Sequence, residues 1–254
     1  MIDLHCHILS GMDDGATSFE ESMAMAEMAI ADGITHVVAT PHASLEYRFD
    51  YANVRREAEK LQSALGSKLK LATGCDFHLS PENIAALKKM PSPYCIHQKD
   101  YLLVEFNEFA IPPAIDQTLY EIQLAGLRPV VTHPERNGIL RAQPERLEKW
   151  IRNGCYGQVT GGSLTGAFGS NIRATSMEWV ARGLMHFIAS DAHNTTLRPH
   201  KLRAAYDVVE REFGRPKAEA LFVENPLAAF EGRGLPHMPE ISATSLKRKR
   251  FLFF

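Results

Sequence analysis

The order of apolar runs along the chain predicts an α/β fold built on a parallel sheet. Two observations carry this: seven short runs rich in apolar and β-branched residues, and amphipathic stretches at helical spacing between them. Parallel neighbours need a crossover and each amphipathic stretch supplies one, so the sheet is either a barrel or doubly wound. The first run is 1–7. A capping box, Ser18-Phe19-Glu20-Glu21, opens the next helix, with Phe19, Met23, Ala26 and Ile30 at helical spacing and Gly33 placed as a C-cap glycine. THVVATPH at 35–42 reads as a buried strand, and Tyr51, Val54, Ala58, Leu61 and Leu65 mark one face of the helix after it. Runs at 70–79, 101–106, 128–133, 157–163 and 185–193 read as the other five strands. Helical spacing recurs in Ile115, Leu119 and Ile122, stopped by Gly126, and in 144–154, with Pro144 at the start and Leu147 and Ile151 inward. It recurs again in Met177, Val180 and Leu184, and in Leu202, Tyr206, Val209 and Phe213 before Gly214. From Gly232 the pattern fades, so 1–231 reads as one domain and 232–254 as a C-terminal tail.

Composition narrows the class. A length of 254 residues suits one continuous core, and 45% hydrophobic with 23% charged residues is ordinary for a soluble enzyme. Lys+Arg 28 against Asp+Glu 30 gives a net charge of -2, so no global field favours nucleic acid or an anionic membrane. No apolar run approaches the ~20 residues that cross a bilayer, and the N-terminus lacks a basic stretch ahead of an apolar one, unlike a signal peptide. Cys6, Cys75, Cys95 and Cys155 are scattered and form no CxxC pair, which fits a reducing cytoplasm.

The chemistry gathers at strand ends. His5 and His7 lie two apart on a strand, so both imidazoles share a face while Cys6 takes the other. Alone, the pair fits hydrogen-bonded surface histidines as well as metal ligands. Polar candidates recur, however: Asp13 and Asp14 just beyond, His42 closing the second strand, Asp76 in the third, Glu105 and His133 closing the next two, and Asp191 with His193 in the last. In a parallel barrel such strand ends converge on one mouth. Imidazoles and carboxylates without thiolates suit manganese, iron or zinc in an open site, and their number suits two or three ions. Clustered divalent ions suit phosphoryl hydrolysis.

The segments MIDLHCHILSGMDDGA (1–16), ATPH (39–42), VVTHPER (130–136) and SDAHN (190–194) resemble the PHP (polymerase and histidinol phosphatase) superfamily. The similarity is greatest to its manganese-dependent bacterial tyrosine phosphatases of the CpsB/YwqE type, linked to capsule and exopolysaccharide synthesis, and runs from Met1 to about Phe230. It implies a distorted (β/α)7 TIM-like barrel and hydrolysis of phosphotyrosine by a metal-activated hydroxide. By motif, His5, His7 and Asp191 would hold a first ion, with Asp76 shared with a second that Glu105 and His133 complete. Asp14, His42 and His193 would hold a third; the choice of Asp14 over Asp13 rests on the resemblance alone. The family usually has Glu where this chain has Asp76, one methylene shorter.

Arg136 and Arg198 are placed like the family's phosphate-binding arginines; each would otherwise read as a surface ion pair. A thiol mechanism is tested on the text, since cysteine-based tyrosine phosphatases need Arg six residues after the nucleophile. Met12, Pro81, Tyr101 and Gly161 stand there instead. The implied partner is a phosphotyrosine protein, a membrane-associated bacterial tyrosine kinase. A small-molecule phosphomonoesterase of the histidinol-phosphatase kind and a non-catalytic metal-binding regulator of a kinase are the rival readings. The basic and apolar end KRKRFLFF (247–254) fits a disordered end or a weak contact with an anionic membrane surface. The polar SFEES stretch (18–22) leaves a homo-oligomer open.

Overall fold

Strand and helix alternate as the spacing predicts, but two of the seven predicted strands are each broken into two. The computed structural model describes residues 1–242. In order, these hold β1 (Ile2–Cys6), α1 (Phe19–Ala31), β2 (His36–Ala39), β3 (His42–Ala43), α2 (Tyr51–Leu65), β4 (Lys70–Thr73), β5 (Asp76–His78) and α3 (Pro81–Lys89). Then come β6 (Tyr101–Glu105), α4 (Ile115–Leu124), β7 (Arg128–Thr132), α5 (Gly138–Ala142), α6 (Pro144–Arg152), β8 (Tyr156–Thr160) and α7 (Gly161–Thr165). The last elements are α8 (Ser170–Ala181), β9 (Phe187–Ala189), α9 (Arg203–Phe213), α10 (Arg215–Glu219) and α11 (Asn225–Glu231).

All ladders are parallel. β1, β2 and β4 form one sheet, and β3-β5-β6-β7-β8-β9 the other. The interruption between β2 and β3 falls at Pro41, which has no N–H to give a ladder; that between β4 and β5 falls at Gly74. Each break moves the later half onto the second sheet, so β5 pairs with β6 while β4 does not. The ring closes at the carboxyl ends, where Asp191 N–H donates to His5 O (2.9 Å), His7 N–H to Ala192 O (2.8 Å), and Cys6 bridges Ala192. This is a seven-position barrel split along its lower half, and Gln98 bridges the split by donating to Thr73 Oγ1 (2.6 Å).

Two apolar clusters follow from the alternation. Ile2, Leu4, Val38, Ala72, Tyr101, Leu103, Val130 and Phe187 fill the barrel interior, with Ile96 and Phe230 against its lower end. The larger cluster lies between the strands and the helices, and it includes Cys6, Val37, Ala39, Val104, Val131 and Ile188. Ile2 and Leu4 point in while Cys6 points out, which simple alternation from residue 2 forbids. The register slips by one between Asp3 and Cys6, where β1 spends one residue more than β2. This bulge turns His5 and His7 toward the mouth.

Two predicted boundaries are corrected. The strand read over 157–163 stops at Thr160 and turns into α7, where a Cβ on Gly161 would lie 3.2 Å from Leu202 and 3.3 Å from Ala205. The run at 185–193 is a strand only over Phe187–Ala189. After α11 the chain has no regular element to 242, yet it is pinned: Tyr101 Oη–H donates to Arg233 O (2.9 Å) and Ser242 N–H to Arg182 O (2.9 Å). The basic and apolar stretch 247–254 lies outside the described residues.

Candidate metal centre

The carboxyl ends of the strands carry the predicted residues to one mouth. β1 brings His5 and the residue after it brings His7; the β1–α1 loop brings Asp13 and Asp14. His42 opens β3, Asp76 opens β5, Glu105 ends β6, and His133, Asp191 and His193 follow β7 and β9. Register places His42 beside Asp76, and His78 beside Glu105. His133 (φ 32°) and Asp191 (φ 52°) adopt left-handed backbone, uncommon outside glycine and frequent where a site dictates geometry.

Three groups of donors result. His5 Nε2 lies 3.3 Å from His7 Nε2, and Asp191 Oδ1 lies 3.4 and 3.5 Å from those two nitrogens. Asp76 Oδ2 is 3.4 Å from His5 Nε2 and 3.7 Å from His133 Nε2, which is 3.6 Å from Glu105 Oε1. Asp14 Oδ1 stands 3.4 Å from both His42 Nε2 and His193 Nε2. These separations are long for hydrogen bonds. They lie at, or up to about 0.3 Å beyond, the roughly 3.0–3.4 Å that separates neighbouring donors around an ion with bonds of about 2.1 Å. Asp76 Oδ2 is buried without a hydrogen-bond partner, the expected state of an oxygen meant for a cation. The donor set therefore fits divalent metal.

Outer partners fix the imidazoles. His5 Nδ1–H donates to Gln158 Oε1 (2.9 Å), His7 Nδ1–H to Asp13 Oδ2 (2.6 Å), and His193 Nδ1–H to Asp191 O (3.0 Å). In each ring Nε2 is left facing the centre, the arrangement that orients metal-ligating histidines. Asp13 also accepts from the backbone N–H of His42 (3.0 Å) and Gly15 (3.0 Å). The two adjacent aspartates thus differ: Asp13 braces the loop while Asp14 faces the donors. Thr132 Oγ1–H donates to Asp76 Oδ1 (3.3 Å), leaving Oδ2 inward.

Arg136 and Arg198 meet at Asp191 Oδ2, Arg136 Nη2 at 2.7 Å. Both guanidinium groups reach the mouth, and both are partly exposed. Glu135 supports this corner. Its Oε1 accepts from Thr160 N–H (3.0 Å) and Ser163 Oγ–H (2.7 Å), and its carbonyl from Arg141 (2.8 Å).

The charges are strongly coupled. Burial would lower the His7 pKa, but Asp13 overrides it and holds the imidazole at about 9. Burial likewise opposes protonation of His42, yet Asp14 and Glu105 hold it at about 11. Burial and Asp76 would raise Glu105, but His42, His78 and His133 bring it down to about 2. A metal ion must displace protons from His7 and His42 below those values, so affinity should rise with pH. Calorimetric titration with Mn²⁺ should show tighter binding at about pH 8.5 than at about pH 6.5, with an observed heat that varies with buffer ionisation enthalpy in proportion to the protons released. Equal affinity at both values would contradict this charge pattern.

All nine predicted metal-site residues and both arginines fall in this one mouth. Asp13 as a brace, Gln158, Glu135 and His78 are additions that the sequence reading does not contain. For His78 a signal exists: Asp76-Phe77-His78 repeats the two-apart spacing of His5/His7 and Asp191/His193.

Comparisons with known proteins agree with this picture. The family described as "Capsular polysaccharide synthesis, CpsB/CapC" matches residues 1–231. The tyrosine-protein phosphatase YwqE of Bacillus subtilis is 38% identical over 258 residues, covering 100% of both chains. The tyrosine-protein phosphatase CpsB of Streptococcus agalactiae is 30% identical over 238 residues, covering 89% of this chain and 96% of the relative. A solved structure from work on YwqE of Bacillus subtilis and CpsB of Streptococcus pneumoniae, described as unique metal-dependent tyrosine phosphatases, superposes with a TM-score of 0.88. It is 34% identical and covers 96% of this chain and 100% of its own. A β-aspartyl dipeptidase from Fervidobacterium islandicum, 14% identical with a TM-score of 0.59, covers 95% of this chain and 78% of its own, and shares the fold alone.

Proposed function

Because the chain belongs to the CpsB/CapC family of capsular polysaccharide synthesis, we infer that it is a metal-dependent protein-tyrosine phosphatase. The observation that carries this reading is the convergence of imidazole and carboxylate donors, braced from outside, beside two guanidinium groups. His5, His7, Asp191 and Asp76 would hold one ion; Asp76, Glu105 and His133 a second; Asp14, His42 and His193 a third. Manganese is the proposed metal, with iron or zinc compatible with the same donors. When bound, such ions lower the pKa of water and neutralise phosphate oxygens.

The chain's own residues do the rest. Arg136 and Arg198 pair with phosphate oxygens, and their planar forks hold the phosphoryl group as charge moves onto it. Asp191 keeps both guanidinium groups aimed at that place. The phenolate leaves readily because its conjugate acid has a pKa of about 10, so no strong general acid is required.

The proposed substrate is a phosphotyrosine protein, a membrane-associated bacterial tyrosine kinase of capsule or exopolysaccharide synthesis. Residues 1–231 would form the phosphatase domain and 232–254 the tail, with 247–254 making a weak membrane contact. No helix among the described residues is long and apolar enough to cross a membrane, and a cytoplasmic place is proposed. A homo-oligomer is consistent with this reading. The test is hydrolysis of p-nitrophenyl phosphate by metal-stripped protein with and without Mn²⁺, beside His133→Ala. Mn²⁺-dependent turnover lost in the variant is expected; metal binding without turnover would favour a regulatory module. Preference for histidinol phosphate over a phosphotyrosine peptide would overturn the substrate class.

A further inference from the structure

His78 lies at the edge of the donor groups and belongs to none of the three proposed ion sets. It sits on β5 two residues beyond Asp76, so both side chains share the face turned to the mouth while Phe77 is buried in the core behind. In register it is the direct neighbour of Glu105 on β6, and its Nε2 contacts Glu105 Oε2. The same oxygen lies 3.3 Å from His42 Nδ1. The His42 and His78 rings stand edge to face, with centroids 5.7 Å apart.

His42, His78 and Glu105 could be taken for a fourth metal site, since their donor atoms are mutually close. The chemistry of His42 argues otherwise. Its Nε2 already faces Asp14 and the third donor group, and an imidazole binding through both nitrogens must lose both protons. His42 Nδ1 lies 3.3 Å from Glu105 Oε2 and is not hydrogen-bonded there. His78 Nε2 is thus the imidazole atom in direct contact with that carboxylate oxygen. The other oxygen, Oε1, is left 3.6 Å from His133 Nε2, on the side of the second donor group. The backbone of His78 is itself held in place, because Asn83 Nδ2–H donates to both His78 O (3.0 Å) and Ala43 O (2.8 Å), tying β5 to β3.

We propose that His78 is a positioning residue that holds Glu105 Oε2, so that Glu105 presents Oε1 alone to the second ion. A carboxylate held this way needs no reorientation when the ion arrives. It also supports a site in which Asp76, a short carboxylate, has limited reach. This rests on the metal-centre reading above and specifies how one of its ligands is set.

The test is Mn²⁺ titration calorimetry on the full chain, comparing His78→Ala and His78→Gln with the wild type. Circular dichroism would confirm that each variant is folded. The Gln side chain can place an N–H donor near the position of the imidazole Nε2. One class of Mn²⁺ sites should weaken about 10–100-fold in His78→Ala, the scale set by loss of an outer partner. Stoichiometry should stay unchanged, and His78→Gln should recover most of the loss. Unchanged affinity in folded His78→Ala overturns the proposal. Loss of a whole equivalent of bound Mn²⁺ in both variants also overturns it, by making His78 itself a ligand. A wild-type chain that binds no Mn²⁺ overturns the metal-centre reading, and this proposal with it.

Discussion

Asp191→Ala is expected to cut turnover of p-nitrophenyl phosphate by about 10³-fold or more, the scale of removing a principal electrostatic element of a site. This one carboxylate joins the first donor group to both arginines. Its Oδ1 faces His5 and His7 at 3.4 and 3.5 Å, and its Oδ2 accepts from Arg136 at 2.7 Å and from Arg198. Burial alone would raise its pKa; Arg136, His5, His7 and Arg198 override this and keep the carboxyl ionised far below the usual range. Losing it removes a donor from the first group and frees both guanidinium groups from their common anchor. The metal-free protein should also lose stability. Breaking a buried ion pair costs about 3–5 kcal/mol, but Arg136 and Arg198 are 19% and 26% exposed, so solvent screening reduces this to roughly 2 kcal/mol. Steady-state kinetics at saturating Mn²⁺ and thermal melts of metal-free protein check both parts. Activity within tenfold of wild type would remove Asp191 from the centre.

Gly15→Ala should have an effect of similar reach for a steric reason. A Cβ at this position would fall 2.1 Å from His7 O and 2.5 Å from His7 Cβ. Neither atom can swing aside, since both belong to the segment that carries a proposed ligand. The loop is held by Ala16 N–H donating to His7 O (3.1 Å) and Gly15 N–H to Asp13 Oδ1 (3.0 Å). An added methyl must push His7 away from residue 15, and with it from the neighbouring Asp13 and Asp14. Overpacking of this kind costs about 1–3 kcal/mol, which lowers Tm by roughly 3–10 °C at this size. A displacement of about 1 Å in the site should reduce kcat by about 10²-fold. Gly234→Ala is the control, because a Cβ there meets nothing within 4 Å. Equal melting temperatures and rates for the two variants would contradict the close approach.

Most of the architecture is legible because periodicity and burial agree. On α2 four of the five residues of the predicted face, Val54, Ala58, Leu61 and Leu65, are buried, and the fifth, Tyr51, is half-buried. On α1 the agreement is partial. The buried residues are Ser22, Met25, Ala26 and Ala29, while Phe19, Met23 and Ile30 are half-buried along the flanks. The contact stripe is mostly small side chains that let the helix approach, which hydrophobicity alone does not rank. Apolar spacing does not mark α3, although Ser80 caps it and Pro81 occupies its first turn, because its apolar residues fall in one run from Ile84 to Leu87 and only Leu87 is buried. In the site, the two-apart pairs at strand ends are readable from spacing. What spacing does not carry is the reach of a side chain across strands. Asp13 and Asp14 are neighbours of the same chemistry, and only the loop path sends one to His7 and the other to His42 and His193. Gln158 is an ordinary polar residue in a strand until its hydrogen bond to His5 ties β8 to β1.

The bulge in β1 makes the centre a matter of parity. The six residues from Ile2 to His7 carry two incompatible alternations, one that fills the barrel with Ile2 and Leu4 and one that lifts His5 and His7 to its mouth. The extra residue is the phase shift that lets a greasy interior and a polar rim share one strand. Shortening β1 by a single residue would leave the other four in order and still exchange inside for outside on one side of the deletion. It would send both imidazoles into the layer beneath the helices, or two aliphatic chains away from the barrel. Length here is thus as strict a requirement as residue identity, and a one-residue deletion in this strand is a harsher change than most substitutions.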